Sequence, residues 1–455
     1  MDLTIIGVGY VGLVTGSCMA EMGHKVTCLD IDENKVEALN RGDIPFYEKG
    51  LKEIVLKNIA AKRLLFTTSY SEAIQKSELC FICVDTPTCA NNHADLTYVK
   101  AVAKSIAENM NDYKIIVNKS TVPVGTAKIV REIIQEVLDN RNVNFTFDVV
   151  SNPEFLAEGN AVDNCMKPDR IILGIDNESV TKVMKELYSP FMISHDRLLI
   201  MDVISAEMTK YAANLMLASR ISLMNEFAEL CEKMGANIDF VRKGIGSDNR
   251  IGVKYLYPGI GFGGSCLPKD LRALISLARD FDCKTPILNA IQEVNEKQKQ
   301  LLGKKIINYF EERSGISNKT IGILGLAFKP DTDDMREAPS LALIQQLLEV
   351  GCKIRVFDPI AMDKAKKILK NSEITWCLDE KKTAEGADAL VLVTEWKQFR
   401  FLNFEEIKKL MNYHVVFDGR NQYSFEKMQE FGFDYISIGR PSLIHSFENT
   451  GHYEN

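Results

Sequence analysis

No run of 18 or more apolar residues occurs in the chain, so no segment reads as a membrane-spanning helix. The opening residues, Met1 to Gly7, carry no basic cluster and no apolar stretch of signal length, and secretion is not expected. Low-complexity segments are lacking too. So is any cationic excess: 55 Lys and Arg stand against 62 Asp and Glu, a net charge of −7. That balance favours solubility and offers no electrostatic footprint for nucleic acid or a membrane surface, so neither partner is expected. Anionic ligands would need locally placed Lys, Arg and backbone N–H groups. No C-x-x-C pair has a matching second pair, so zinc is not expected and no metal site is assigned. The 11 cysteines are odd in number and mostly embedded in apolar segments such as Leu79-Cys80-Phe81-Ile82-Cys83. They read as reduced thiols of a cytoplasmic chain. Cys266 is the exception.

What is present is a globular composition, 46% hydrophobic and 26% charged over 455 residues, long enough for two or three domains. In the first part, short β-branched runs alternate with helical patterns. Leu3–Ile6, Lys25–Leu29, Leu79–Val84, Lys114–Asn118, Phe147–Val150 and Arg170–Leu173 read as buried strands, with amphipathic stretches at Asp95–Asn109 and Thr126–Leu138. Such alternation implies βαβ units and a mostly parallel sheet. From Ser205 to Lys233 one long helix is predicted, capped by Ser205, ended by Gly235 and roughly 40 Å long at 1.5 Å per residue. The strand pattern returns at Thr320–Leu324, Lys353–Phe357, Ala389–Val393 and His414–Phe417. The predicted fold class is therefore α/β: two Rossmann-like α/β domains joined by a long central helix. The expected divisions are 1–203, 204–300 and 301–455. The two end zones share a pattern without a detectable repeat of sequence.

Gly7-Val8-Gly9-Tyr10-Val11-Gly12 is a G-x-G-x-x-G directly after the first strand. Gly7 permits the tight turn, Gly9 lets backbone approach a pyrophosphate, and Gly12 allows close helix–strand packing. The next helix offers its N-terminal N–H groups to phosphates. Alone the motif is weak, because glycine-rich turns are common. Here the second strand ends at Asp30, placed to accept from a ribose 2′-hydroxyl and to repel a 2′-phosphate, so NAD is expected over NADP.

The most informative stretch runs from Tyr257 to Asp270, where four glycines precede Cys266 and Pro268 opens a helix continuing through Leu271, Leu274 and Leu277. A helix N-terminus and nearby Lys269 both favour a thiolate. An isolated cysteine is usually a small buried hydrophobe; this setting reverses that reading. A thiolate beside a nicotinamide suggests aldehyde-level chemistry, in which a thiohemiacetal loses hydride and the resulting thioester is hydrolysed.

Together with the first loop, this stretch resembles the family of UDP-sugar and GDP-mannose dehydrogenases, and within it the branch acting on UDP-glucose. The resemblance spans essentially the whole chain. It includes Val84-Asp85-Thr86-Pro87, the segment Lys119 to Thr126, Asn152-Pro153-Glu154-Phe155-Leu156-Ala157-Glu158-Gly159 and the segment Phe328 to Arg336. It implies a four-electron oxidation of the sugar C6 alcohol to a carboxylate, with two NAD reduced per substrate. By motif, Cys266 matches the nucleophile. Lys210 and Asn214, at i and i+4 on one helix face, match the pair that stabilises a developing alkoxide; taken alone they would read as solvated surface. Asp270 matches a carboxylate orienting water or the lysine, although first-turn charge alone explains an acid there. Thr121 and Glu154 match positions that hold or activate water, and Glu158 one near the nicotinamide. Which carboxylate acts as base stays open.

The resemblance further implies cofactor contacts from Val11, Asp30, Lys35, Thr86, Thr121, Glu158, Lys269 and Arg336, beside Gly7, Gly9 and Gly12. The UDP-sugar is implied to lie between the two α/β domains. Its contacts would be Glu154 to Glu158, Lys210, Asn214, the loop Tyr255-Leu256-Tyr257-Pro258-Gly259, Gly263, Lys329 and Arg420. Arg250 matches an arginine reaching the substrate from a neighbouring subunit, so a homodimer is expected. Asp331, Asp333 and Asp334 lack any supporting histidine and are not assigned as a metal site.

Other nucleotide sugars remain as alternatives: GDP-mannose and the N-acetylated UDP-hexosamines. The Gly263-Gly264-Ser265-Cys266 string fits the UDP-glucose and GDP-mannose types better than the N-acetylmannosamine type, where a histidine usually precedes the cysteine. A single-oxidation β-hydroxyacid dehydrogenase would not need Cys266. A non-catalytic nucleotide sensor would be marked by loss of Cys266, Lys210 or Asp270, and all three are present.

Overall fold

The computed structural model describes residues 1–192 and 197–445 and divides into two compact units. These are Met1–Asn214 with Lys269–Lys284, and Leu215–Pro268 with Thr285–Asn455. The long helix, Val203–Met234, contributes to both.

The first unit is built on β1 (Asp2–Ile6), β2 (Lys25–Leu29), β3 (Leu64–Thr67), β4 (Leu79–Ile82), β5 (Lys114–Asn118), β6 (Phe147–Ser151), β7 (Ile171–Gly174) and β8 (Leu198–Met201). They lie in the order β3-β2-β1-β4-β5-β6-β7-β8. Neighbours run parallel except β6 and β7, which pair antiparallel at Ser151 and Gly174. Side chains alternate across the sheet, so Leu3 and Ile5 enter one apolar cluster while Ile6 enters another on the opposite face. Burial on both faces explains why the central strands read as unbroken apolar runs.

The second unit carries β9 (Thr320–Leu324), β10 (Lys353–Phe357), β11 (Ile374–Trp376), β12 (Ala389–Leu392), β13 (Val415–Asp418) and β14 (Asp434–Ser437). Their order is β11-β10-β9-β12-β13-β14, all parallel. The likeness of the two sheets extends to single hydrogen bonds. The Gly7 N–H donates to Leu29 O at 2.8 Å and the Gly325 N–H to Phe357 O at 2.8 Å. The Val8 N–H donates to Asp30 Oδ2 at 2.8 Å, and the Leu326 N–H to Asp358 Oδ2 at 2.7 Å. A shared backbone scheme thus underlies the pattern that sequence comparison of the halves leaves undetected.

Some predicted elements need correction. The long helix begins at Val203, not Ser205; its cap is Asp202, whose Oδ1 accepts the Ser205 N–H at 2.8 Å. At 32 residues and 1.5 Å each it is about 48 Å long, and Gly235, at φ +75, ends it as predicted. The helix after Cys266 is Leu267–Asp280, with Pro268 at its second position. Four strands escaped the sequence reading: β3, β8, β11 and β14. All four are sheet edges. Edge strands are short and bear exposed or polar residues, as at Leu65 in β3, which is 54% exposed.

Candidate active site

In the first unit, the glycine loop leads from β1 into the helix Tyr10–Glu21, with Gly9 in extended backbone as its cap. A side chain at Gly12 would place Cβ 1.9 Å from Gly7 O, and Gly7 itself has φ +92, so only glycine closes this turn. The bare turn and the helix N-terminus behind it fit a pyrophosphate. Asp30, at the end of β2, is 8% exposed. Its Oδ2 accepts from Val8 N and, at 3.0 Å, from Lys35 Nζ, so the lysine implied as a cofactor contact pairs with the acid expected to face the ribose. Among the described residues Oδ1 accepts only the Asp32 N–H, at 3.1 Å, and keeps capacity for a ribose hydroxyl. Val11 is half-buried on the first helical turn.

The corresponding acid of the second unit, Asp358, is filled. It accepts from the Leu326, Ala327, Ile360 and Ala361 N–H groups and from Trp396 Nε1. That leaves no comparable capacity for a ribose.

Two polar groupings occupy the rest of the first unit's site. Lys210 Nζ lies 2.9 Å from Glu154 Oε1, both side chains about 5% exposed or less, and 5.2 Å from the centroid of Phe155. Glu154 Oε2 accepts the Leu156 N–H at 2.5 Å. Burial pushes the Glu154 carboxyl up, but the charge and hydrogen bond of Lys210, the Leu156 N–H and Lys119 together hold it below its ordinary value. Glu154 is therefore ionised at neutral pH and is no reservoir of an acidic proton. The second grouping centres on Asp270, wholly buried. It accepts from Asn214 Nδ2 at 2.7 Å and Lys269 Nζ at 2.8 Å. Lys269 Nζ reaches Thr86 Oγ1 at 3.5 Å, and Thr86 Oγ1 donates to Thr121 O at 2.7 Å. Lys210 and Asn214 are 3% and 8% exposed. The solvated-surface reading of this pair is wrong.

Several contributors were not legible in the sequence. Tyr10, a variable position of the glycine motif, donates to Glu48, which also accepts the Gly159 N–H at 2.6 Å and the Ala161 N–H at 2.9 Å. This ties the end of the Glu154–Gly159 segment, including half-buried Glu158 and Ala157, to the nucleotide loop. Glu207, one turn before Lys210, takes the Gly125 N–H at 2.6 Å and the Ala127 N–H at 2.8 Å, anchoring the helix that follows Thr121. Nothing in their spacing marks either acid.

In the second unit, close approach explains the glycines before Cys266. A Cβ on Gly263 would stand 2.3 Å from Glu337 O, and Gly264 has φ +88 against the Phe328 ring. The Gly264 N–H donates to Arg336 O at 2.8 Å. Cys266 is half-buried immediately before the helix whose first turn carries Asp270, with Ser265 Oγ 3.4 Å from its sulfur. A 14-residue helix beginning there favours a thiolate.

The loop Tyr255 to Gly259 is clamped from helices. The Gly259 N–H donates to Asn225 Oδ1 at 2.8 Å, and Gln298 Nε2 to Gly259 O at 2.5 Å. Leu256 and Pro258 are buried, while Tyr257 is exposed with the Arg242 guanidinium 4.4 Å from its ring centroid. Tyr255 takes φ +60. Arg420 lies against Gly259, where an added Cβ would meet Nη1 at 2.9 Å, and its Nε bonds Val393 O at 2.8 Å. Lys329 Nζ sits 5.5 Å from the Phe328 ring. Arg336 pairs with Asp334 at 2.8 Å, and Asp333 with Lys364 at 2.9 Å. Arg250 points to solvent, 88% exposed, beside Asp248 at 2.6 Å.

Comparison with known proteins places this geometry. Residues 1–192, 204–297 and 322–425 match, in turn, the NAD binding, central and UDP binding domains of the UDP-glucose/GDP-mannose dehydrogenase family. The chain is 46% identical to a UDP-glucose 6-dehydrogenase of Pseudomonas aeruginosa over 98% of its length and 99% of the relative's. It is 44% identical to the UDP-glucose 6-dehydrogenase TuaD of Bacillus subtilis, covering 97% and 94% of the two chains. A solved UDP-glucose dehydrogenase from Pyrobaculum islandicum superposes with a TM-score of 0.86 at 34% identity, covering 96% of each chain. The chain that sets an ionised Glu154 against Lys210, and Cys266 one turn before Asp270, belongs to the UDP-glucose/GDP-mannose dehydrogenase family.

Proposed function

We propose that the protein oxidises UDP-glucose to UDP-glucuronate, using two NAD per substrate and a covalent intermediate on Cys266. The observation that carries this reading is Cys266 at the start of a helix whose first turn holds Asp270, itself bonded to Asn214 and Lys269. Relatives of this chain at 44% and 46% identity are named UDP-glucose 6-dehydrogenases.

The glycine loop and Asp30 would hold the dinucleotide, and when bound its nicotinamide supplies the hydride acceptor. Lys210 and Asn214 present N–H donors from one helix face, suited to an alkoxide developing at C6. Glu154 keeps Lys210 charged and oriented without being able to protonate the alkoxide. The Cys266 thiolate adds to the aldehyde carbon to give a thiohemiacetal. After the second oxidation the thioester is open to water. Asp270 still has lone pairs beyond those used by Asn214 and Lys269 to orient that water. Overall, one alcohol, two NAD and one water give one carboxylate, two NADH and three protons. Arg420 and the clamped loop Tyr255 to Gly259 form the handle for the nucleotide, whose binding energy holds the sugar through successive steps.

The working form is proposed to be a cytoplasmic homodimer. Met216, Leu223 and Leu230 recur every seven residues on the long helix and are 65%, 51% and 47% exposed, an apolar stripe suited to a second copy. Exposed Arg250, held beside Asp248, would then serve the neighbouring site. Among the described residues no helix is long and apolar enough to cross a membrane.

The deciding experiment counts NADH formed per sugar consumed over UDP-glucose, GDP-mannose and the N-acetylated UDP-hexosamines. Two NADH per UDP-glucose, with little on the others, is expected; one NADH, or preference for another sugar, overturns the assignment. Cys266→Ser should bind UDP-glucose yet lose overall turnover. Normal glucuronate formation by that variant would sink the covalent route.

A further inference from the structure

We propose that Tyr10 and Glu48 are positioning residues that transmit occupancy of the glycine turn to the Glu154–Gly159 segment. The inference rests on the dinucleotide lying on that turn and not on which sugar is oxidised. Tyr10 is the first residue of the helix Tyr10–Glu21, whose N-terminal N–H groups suit a pyrophosphate. Its backbone thus belongs to the cofactor site, while its side chain serves another. The ring packs on Phe46, with centroids 4.8 Å apart at 42°, and the hydroxyl donates to Glu48 Oε2.

Glu48 is 6% exposed, and both of its oxygens are engaged. Oε2 accepts the Gly159 N–H at 2.6 Å as well as the Tyr10 hydroxyl, and Oε1 accepts the Ala161 N–H at 2.9 Å. The Gly159 N–H also donates to Tyr10 Oη at 3.1 Å, so two side chains hold one backbone group jointly. Asn160, at the start of the helix Ala161–Met166, makes no capping bond with its own side chain. Glu48 supplies that cap from 113 positions earlier in the chain. Hydrogen bonds to a carboxylate are about twice as strong as neutral ones. Here they fix the backbone that immediately follows Glu158, the acid implied to lie near the nicotinamide. Burial and the hydrogen bond to Glu48 push the Tyr10 phenol well above its ordinary value, so it stays a donor at working pH.

The consequence is a linkage within the first unit. A diphosphate held at the first helical turn fixes the Tyr10 backbone, and the ring follows because Phe46 packs against it. The hydroxyl then fixes Glu48 and, through it, the Gly159 and Ala161 N–H groups. The ordering that the segment needs is thereby complete before its own ligand arrives, and by reciprocity an ordered segment favours the dinucleotide.

The test is amide hydrogen exchange on the full-length protein with ADP-ribose, which carries the diphosphate but no nicotinamide ring to touch Glu158 directly. Protection of a peptide spanning residues 5–20 reports occupancy of the turn in every variant. With the turn occupied, exchange across residues 155–166 of the wild type should slow at least about fivefold, the low end of ordinary coupling between sites. In Tyr10→Phe, which keeps the ring on Phe46, the ligand-free rate should change little while the response to ADP-ribose disappears. In Glu48→Gln the ligand-free rate should rise about tenfold as a charged acceptor is lost, and the response should disappear as well. A purely structural contact would shift ligand-free rates and leave the response intact. An unprotected segment in the occupied wild type, or equal protection in Tyr10→Phe, overturns the proposal. An unprotected glycine turn removes the dinucleotide from it, and the proposal with it.

Discussion

Glu207→Gln isolates the energetic consequence of burying one carboxylate. Glu207 is 2% exposed on the long helix, and burial pushes its carboxyl from an ordinary 4.5 up to about 7 in spite of the Gly125 and Ala127 N–H groups it accepts from. The folded protein therefore holds this proton more tightly than the unfolded chain. Its contribution to stability is fully present below pH 4.5, falls as pH rises, and is gone above pH 7. At about 1.4 kcal/mol per pH unit, the span from 4.5 to about 7 corresponds to about 3 kcal/mol. The adjacent N-terminus of helix Thr126–Asn140 stabilises the ionised form, which makes this figure a ceiling. Glutamine has no such dependence. It serves one of the two N–H groups through its oxygen and turns an NH2 toward the other, at a pH-independent cost of about 1–3 kcal/mol. All other titrating groups are common to both proteins and cancel in the difference. Thermal unfolding of wild type and Glu207→Gln should be followed from pH 5 to 8. With about 2–4 °C per kcal/mol for a unit of this size, the wild-type midpoint should fall relative to the variant by at most roughly 6–12 °C. Curves that run parallel across this range, or diverge in the other direction, would refute the account.

Lys210→Met leaves Glu154 ionised and buried without its counter-charge, and should lower stability by about 3–5 kcal/mol while abolishing turnover. Adding Glu154→Gln should restore most of the melting temperature and none of the activity; a single variant that melts like wild type would contradict the pairing. Asp30→Ala removes both the proposed ribose acceptor and the partner of Lys35. The KM for NAD should rise at least about tenfold and discrimination against NADP should shrink, as steady-state kinetics with both dinucleotides will tell. Unchanged cofactor preference would mean that Asp30 does not read the ribose.

Central strands were legible because burial on both faces demands unbroken apolar runs, as in Leu79–Ile82 and at Ile115-Ile116-Val117. The edge strand Ile374–Trp376 lacks that requirement, and Asp434–Ser437, buried throughout, stayed hidden because a polar residue stands at each end of it. Ser205 looked like a helix cap because serine caps well, but Asp202 lies three residues earlier and accepts the very N–H that defines the cap. Glu48 and Glu207 were invisible because a buried acid differs from a surface one only in what folds over it.

The sequence by itself determined much of what depends on near neighbours along the chain. Glycine spacing dictates a turn open to phosphate, and a cysteine just before Pro268 dictates a thiol at a helix start. Asp30 at a strand end dictates an acid beside the nucleotide loop. Only the tertiary structure decided which distant residues meet. Glu154 and Lys210 are 56 positions apart, as are Asn214 and Asp270, and each pair bonds within 3 Å. Charge state follows from such meetings, since a carboxyl is pulled down by a buried ammonium and pushed up by an apolar cover. Packing alone assigned Glu154 to the first case and Glu207 to the second.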